Sequence, residues 1–191
     1  MRRIILASQS KARRRLLKQI GLEFTVAKSR VRERKALSGR CSDFVIANAV
    51  KKAKDVAGRF DSGVVIAADT VVLVRRRIIG KPKTMRDAVA ALKTLSREPQ
   101  WVYTGIAVID IDKGKLHTAY EKTKVYMYPL SDGQIKKYFR KISPFDKAGS
   151  FDVQGPGSVF IDRIEGCFYN VVGLPLAKLA KILGNCGISI L

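Results

Sequence analysis

An acidic residue in the middle of a long apolar run constrains this chain more than any other feature of its sequence. The run extends from Val64 to Val74 and is rich in β-branched side chains, which is typical of a buried strand. Asp69 lies at its centre, where an ionised carboxylate is costly unless a cation or several donors compensate it. Because sequences mostly tolerate that cost where the charge is used, Asp69 is the first candidate for catalysis. The alternative is a turn at Ala68-Asp69-Thr70 between two shorter strands.

The composition indicates one folded domain that attracts anions. The chain has 191 residues, of which 47% are hydrophobic, so we expect a single domain over residues 1–191. Its 37 Lys and Arg against 16 Asp and Glu give a net charge of +21, which favours nucleotides, nucleic acid or anionic lipid as ligands. The sequence has neither a basic tail nor interleaved aromatic residues of the kind that stack bases, so nucleic acid is an unlikely partner.

Cysteine and histidine usage narrows the chemistry and the compartment. Cys41, Cys167 and Cys186 form no CxxC pair, which indicates reduced thiols in a cytoplasmic protein. His117 is the only histidine, so we expect neither a zinc site nor a Ser-His-Asp triad. The N-terminal apolar segment, residues 4–7, is too short for a signal peptide, and no run is long enough for a membrane span.

Strand and helix patterns alternate along the chain. The predicted strands are residues 4–7, 64–74, 101–109, 117–128, 158–161 and 167–172. The predicted helices are Lys11 to Ile20, Asp43 to Gly58 with Ser42 as its cap, one opened by a capping box at Thr84–Asp87, one capped by Ser131, and Leu176 to Leu183. These elements predict a mixed α/β (α+β) fold, with an elongated mixed β-sheet flanked by helices and a central cleft between two lobes.

Three further segments are candidates for phosphate binding. Ser8-Gln9-Ser10 follows the first strand and opens a helix, where Arg13 lies one turn in and could reach an anion. Taken alone, that segment favours Ser10 as a plain N-cap with solvated arginines. Gly80-Lys81-Pro82 places a lysine on a rigid turn. The Gly-rich stretch 146–157 contains Gln154, whose amide can both donate and accept, but an ordinary connection explains this stretch as well.

Taken together, one or two acids, dispersed cations, a helix N-terminus and an amide-bearing loop suit metal-assisted attack of water on a polyphosphate. The same segments, in the same order, resemble the Maf family of nucleoside triphosphate pyrophosphatases from Ile4 to about Leu183. The matching motifs are Leu6–Arg13, Glu33 after Val31, Lys52-Ala53-Lys54, Ala68-Asp69-Thr70, Gly80-Lys81-Pro82, Asp146–Gly149 with Gln154-Gly155, and Asn170–Pro175. Each motif is weak alone, but seven in one order are specific.

The resemblance implies an enzyme of nucleotide metabolism, a hydrolase that converts dTTP or UTP to the monophosphate and pyrophosphate. It implies that Asp69 accepts the proton of the attacking water and that Glu33 and Asp69 hold Mg²⁺ or Mn²⁺. It places the substrate phosphates on Ser8, Arg13, Lys52, Lys81 and Lys147, and it links Thr70 and Gln154 with base preference. The family is cytoplasmic and commonly dimeric, so a homodimer is expected.

Two alternatives stay open at this point. Lys11 and Ala12 stand where the family pattern has Pro and Arg, a position tied to substrate preference. The same chemistry on 7-methyl-GTP or another modified purine is therefore the first alternative. A non-catalytic nucleic-acid-binding protein, suggested by the charge of +21, is a distant second.

Overall fold

A computed structural model describes residues 2–32, 39–145 and 147–190 of the chain. Within these residues the strands are β1 (Ile4–Leu6), β2 (Thr25–Val26), β3 (Val64–Val74), β4 (Arg77–Ile79), β5 (Gln100–Asp110), β6 (Lys115–Met127) and β7 (Ile161–Glu165). The helices are α1 (Lys11–Gln19), α2 (Cys41–Ala57), α3 (Met85–Leu95), α4 (Asp132–Lys141), α5 (Phe168–Val172) and α6 (Leu176–Asn185), with short 3-10 turns at Ala148–Ser150 and Pro156–Phe160.

The seven described strands form one mixed sheet in the order β2-β1-β3-β5-β6-β7, with β4 paired to β3. β1 is parallel to both β2 and β3, so Ile5 lies opposite Thr25 on one side and Val65 on the other. β4 and β7 run antiparallel to β3 and β6, respectively. The predicted mixed α/β fold, a sheet flanked by helices, is therefore confirmed.

Contacts between residues divide the chain into two compact units. The first contains Met1–Thr70, Thr104–Glu121 and Gly173–Leu191, and the second contains Val71–Tyr103 and Lys122–Val172. None of the helices in the described ranges is both long enough and apolar enough to cross a membrane.

In the first unit, helix α2 packs unusually closely on strand β5. Ala49, Ala53 and Val56 of α2 are fully buried and belong to one apolar cluster with strand residues such as Ala107. A Cβ on Gly105 would lie 2.5 Å from the carbonyl carbon of Val45, on the backbone of α2. Only glycine therefore permits this approach, and it places one face of α2 directly over the sheet.

The second unit has its own core around α3 and α4. Leu92, Leu95 and Ile135 from these helices are fully buried and cluster with Val102 and Val125 of β5 and β6. Both helices begin with the predicted caps, since Thr84 and Ser131 each form a complete capping box.

The triplet Arg75-Arg76-Arg77 interrupts two apolar runs and therefore predicts a hairpin tip, which the turn between β3 and β4 confirms. Arg75 and Arg76 form it with φ of 46° and 63°, respectively, while Arg77 already belongs to β4. Two successive left-handed residues are typical of a type I′ hairpin turn, in which Asn-Gly is the usual pair. Arginine in both places costs backbone strain.

Three predictions about secondary structure were wrong. Ser42 does not cap α2, because the helix begins at Cys41, and Arg40 occupies the cap without a side-chain bond. Residues 158–161 and 167–172 were predicted as strands, but most of the first lies in a 3-10 turn and most of the second forms helix α5. Apolar runs of four to six residues carry no decisive periodicity, so helix and strand cannot be separated there.

A buried asparagine in α5 attaches the second of those segments to the neighbouring strands. The Asn170 amide donates to the Val102 carbonyl and to the Thr123 hydroxyl, at 2.9 Å in both cases. The short strand β2 was not predicted at all, because two exposed residues give no pattern.

Candidate active site

Asp69 lies in the uninterrupted strand β3, so the alternative of a turn at this point is wrong. The residue is only 5% exposed, and apolar strand residues flank it on both sides. A carboxylate in such a place needs partners, and helix α2 supplies them.

Two side chains of α2 hold the two oxygens of the Asp69 carboxylate. The Lys52 ammonium donates to Asp69 Oδ1 at 2.7 Å, and the Asn48 amide donates to Oδ2 at 2.9 Å. Asn48 and Lys52 are four residues apart and therefore share one face of the helix. Both are buried, at 2% and 8% exposure, so this is a desolvated charge pair with a neutral third member.

Arg13 is the second buried cation of the first unit. Its Nη1 donates to the Ala68 carbonyl at 2.9 Å, its Nη2 to the Thr70 hydroxyl at 2.9 Å, and its Nε to the Gly173 carbonyl at 2.8 Å. The guanidinium therefore holds the backbone and side chains on both sides of Asp69. Ser10 is indeed the N-cap of α1, but Arg13 is not a solvated arginine.

The two predicted residues nearest Arg13 are also placed by it. Ser8 Oγ accepts from Arg13 Nη1 at 3.3 Å, beside the start of α1. The Thr70 hydroxyl lies 2.9 Å from the Thr104 hydroxyl as well as bonding to Arg13. Ser8, Arg13, Lys52, Asp69 and Thr70 are thus brought together by the structure.

The Cys41 thiol at the start of α2 is not a reactive group. Burial, together with the negative charge of Asp69, raises the pKa of Cys41 to about 11. The thiol is therefore protonated at neutral pH and cannot act as a nucleophile. All three cysteines are free, as expected.

In the second unit, two of the predicted segments meet. The Gly149 amide donates to the Gly80 carbonyl at 3.3 Å, so the Lys81 turn and the Lys147 turn lie side by side. Lys81 and Gln154 are exposed, whereas Lys147 is half-buried and donates to the Ser143 carbonyl at 3.2 Å. That the Lys81 ammonium comes close to the Asp69 carboxylate stays a prediction.

The glycines of the 146–157 stretch serve the packing of this stretch itself. Asp152 Oδ1 accepts from the amides of Gly155 and Gly157, at 3.1 and 3.2 Å. A Cβ on Gly157 would lie 2.3 Å from the Asp152 carbonyl oxygen and 2.8 Å from the Tyr138 hydroxyl. Gly155 and Gly157 are therefore required even without a ligand, while Gln154, directly before Gly155, is exposed.

This chain matches a known protein family over nearly its whole length. A family model described as Maf-like protein matches residues 3–186.

The chain belongs to the Maf-like protein family.

Curated Maf-like relatives match over essentially their whole length. A protein of Methanosarcina barkeri is 46% identical over 191 residues, which cover 100% of this chain and 97% of the relative. Proteins of Methanococcoides burtonii and Carboxydothermus hydrogenoformans are 43% and 41% identical and cover 98% and 99% of their own lengths, against 100% and 97% of this chain. Each of the three is named dTTP/UTP pyrophosphatase.

Glu33 of the predicted site lies outside the described residues, as does Asp146 of the matching motif. Within the described part of the chain, no three His, Cys, Asp or Glu side chains cluster as a metal site would require. Mg²⁺, however, is commonly held by one or two carboxylates together with substrate phosphate oxygens. The buried Asp69 carboxylate supplies hard oxygen donors of that kind, so the residues present fit Mg²⁺ or Mn²⁺ bound jointly with a polyphosphate.

Asn48 is the site residue that the sequence analysis missed. The signal in the sequence is a polar residue on an otherwise apolar face of α2, one turn before Lys52. The helical periodicity of the apolar residues predicts that this face packs in the core, so Asn48 was not considered as a site residue.

Proposed function

We propose that this Maf-like protein is a nucleoside triphosphate pyrophosphatase that hydrolyses dTTP and UTP to the nucleoside monophosphate and pyrophosphate. The three relatives with that name, at 41–46% identity, support the substrate class. The observation that carries the chemistry is the buried Asp69 carboxylate, held between a lysine ammonium and an asparagine amide. An acid kept in that setting is expected where proton transfer is performed.

In the proposed mechanism, Asp69 accepts a proton from the water that attacks the α-phosphorus. Lys52 lies against the carboxylate and would meet the negative charge of the triphosphate. Ser8, Arg13, Lys81 and Lys147 would complete phosphate binding. Arg13 contributes in addition by fixing the Ala68 carbonyl, directly before Asp69.

A divalent cation, Mg²⁺ or Mn²⁺, would be held by Asp69 and Glu33. When bound, it supplies neutralisation of the charge on the phosphate oxygens.

Base preference is proposed to depend on Thr70 and Gln154. The Thr70 hydroxyl is fixed by Arg13 and Thr104, so it presents a rigid group. Gln154 is exposed and carries an amide that can donate to and accept from a base edge. We also propose that residues 1–191 act as one domain, in a cytoplasmic homodimer.

A substrate panel tests this function directly. Pyrophosphate release is measured with dTTP, UTP, CTP, ATP, GTP and 7-methyl-GTP, each with Mg²⁺ and with Mn²⁺. We expect the highest kcat/KM for dTTP and UTP, and a loss of about 1,000-fold in kcat for Asp69→Asn, because general-base catalysis contributes on that order. Higher kcat/KM for 7-methyl-GTP would reassign the substrate, and no turnover of any triphosphate would refute the proposal.

A further inference from the structure

Asn48 is a neutral donor buried against the candidate base, and no polar group of that kind is needed to pack helix α2. Its neighbours Val45 and Ala49 are fully buried apolar residues. Burying an amide in such surroundings is unfavourable unless its hydrogen bonds are made. The Asn48 amide makes one of them with Asp69 Oδ2 at 2.9 Å.

We propose that Asn48 is a positioning residue that holds Oδ2 of Asp69, so that Oδ1 takes the proton once Lys52 has moved to the substrate. This inference rests on the proposed function and extends it. It assigns separate tasks to the two carboxylate oxygens and to their two donors.

The position of Lys52 makes this division necessary. Its ammonium lies 2.7 Å from Oδ1 and therefore engages the oxygen that must accept a proton. A triphosphate is a polyanion and attracts the lysine more strongly than a single carboxylate does. As the ammonium turns towards the phosphates, Oδ1 becomes available for the attacking water.

The chemical step then balances at named atoms. The water oxygen bonds to the α-phosphorus, and one water proton passes to Asp69 Oδ1. The bond between the α-phosphorus and the bridging oxygen breaks, and its electron pair leaves with pyrophosphate. Asn48 is uncharged, so the phosphates do not draw it away, and it keeps the carboxylate oriented throughout.

The backbone next to Asp69 also accepts hydrogen bonds from two donors. The Ala68 carbonyl accepts from Lys52 Nζ at 3.3 Å and from Arg13 Nη1 at 2.9 Å. If Lys52 turns to the substrate, Arg13 still holds this carbonyl. Asn48 and Arg13 are thus the two donors that would stay in place when Lys52 moves.

Asn48→Leu tests the proposal, because leucine has a similar volume but no donor. We expect kcat for dTTP to fall about 30-fold with KM within about twofold, because an oriented base acts on the chemical step and not on substrate binding. In a crystal structure of Asn48→Leu, the Asp69 carboxylate should be turned away from its wild-type orientation, because the bond that holds Oδ2 is lost.

Val56→Ala provides the matched control on the same helix. It creates a small cavity in the apolar cluster of α2, so it should lower the melting temperature without turning the Asp69 carboxylate or lowering kcat. Asn48→Asp, which keeps the shape but replaces the donor with a second carboxylate, should lower kcat at least as far as Asn48→Leu, because the two negative charges repel each other.

The orientation of the carboxylate is measured without turnover, so the outcomes separate. A turned Asp69 carboxylate in a protein that hydrolyses no triphosphate would support the positioning of Asp69 and refute the proposed function. An Asp69 carboxylate that keeps its wild-type orientation in Asn48→Leu overturns the inference, whether or not the wild type is active. A changed KM with unchanged kcat overturns it as well.

Discussion

The two units carry their candidate site residues in opposite ways. In the first unit, Asn48, Lys52 and Asp69 are at most 8% exposed, and the first two both donate to Asp69. In the second unit, Lys81 and Gln154 are exposed on turns. The first arrangement is a preorganised group suited to chemistry, and the second suits side chains that meet a ligand from solvent.

This difference predicts how the two regions respond to substitution. Changes near Asp69 disturb a packed and desolvated network, so they should reduce both stability and activity. Changes at the exposed turns remove a contact to the ligand and leave the fold intact.

Gly105→Ala should have the largest effect, because it forces helix α2 away from the sheet. The new Cβ would lie 2.5 Å from the Val45 carbonyl carbon, on backbone that no side-chain motion can relieve. We expect a loss of about 3 kcal/mol in the free energy of unfolding. Because α2 carries Asn48 and Lys52, kcat should fall too. Urea unfolding and kcat for dTTP measure both effects.

Gly133→Ala in α4 is the control for Gly105→Ala. A Cβ there would have only the Ser131 hydroxyl within 4 Å, at 3.9 Å, so stability and kcat should be nearly unchanged. Equal effects of the two substitutions would contradict the close approach of α2 to β5.

Lys81→Ala should affect activity alone. We expect kcat/KM for dTTP to fall about 50-fold, equivalent to about 2.3 kcal/mol, through loss of a charged contact to the phosphates. The melting temperature should stay within about 1 °C, because the side chain is exposed. Lys83→Ala removes the same charge two residues away and serves as control. If both variants lose activity equally, general attraction by the basic surface explains the effect.

Much of the fold could be predicted because its local signals are strong. Strand β3 with its central acid, the capping boxes of α3 and α4, and the arginine turn all follow from patterns within a few residues. The failures came where a distant contact decides the local structure. Asn170 is helical while its side chain bonds across to β5 and β6, and a window of six residues cannot contain that information.

The residues of the candidate site divide in the same way, into those that a local pattern reveals and those that depend on distant contacts. Asp69 was found because a charge in a buried strand is visible in the sequence itself. Asn48 was missed because its meaning depends on which strand its helix covers. Arg13 was assigned to phosphate from its position after the first strand. Its bonds to the Ala68 and Gly173 carbonyls required residues 55 and 160 positions away to be brought together.

Asp110 is a buried carboxylate of the first unit that takes no part in the proposed chemistry, so it shows what such a charge contributes to stability alone. Arg2 donates to both of its oxygens, and this bond lowers the pKa of the Asp110 carboxyl below its ordinary 3.8. A lowered pKa in the folded state means that the stabilisation is complete above the ordinary value. It is then lost as the pH falls through about 4 towards the lowered pKa.

Asp110→Asn should therefore reduce the free energy of unfolding by about 2 kcal/mol at pH 7, and by progressively less below pH 4. Urea unfolding from pH 7 to pH 2.5 measures the difference. Asp61→Asn, at an exposed position, should change stability by less than about 0.5 kcal/mol across that range. A difference between Asp110→Asn and the wild type that grows on acidification would contradict the sign of the pKa change.

The arginine turn of the second unit should show the smallest effect, and in the opposite direction. Replacing Arg75 with Asn and Arg76 with Gly supplies the pair that a type I′ turn favours, and removes two strained residues at φ of 46° and 63°. The double variant also loses the ion pair between Arg75 and Glu98, which is largely exposed and worth little. We expect a net gain of about 1 kcal/mol in the free energy of unfolding, measured with urea, because left-handed non-glycine residues cost on that order. Arg75→Ala alone, which removes the ion pair but keeps a strained side chain, should not stabilise. If the double variant is no more stable than the wild type, the ion pair between Arg75 and Glu98 stabilises the fold by at least as much as the backbone strain destabilises it. Exposed charges of the second unit would then contribute to stability as well as to ligand contacts.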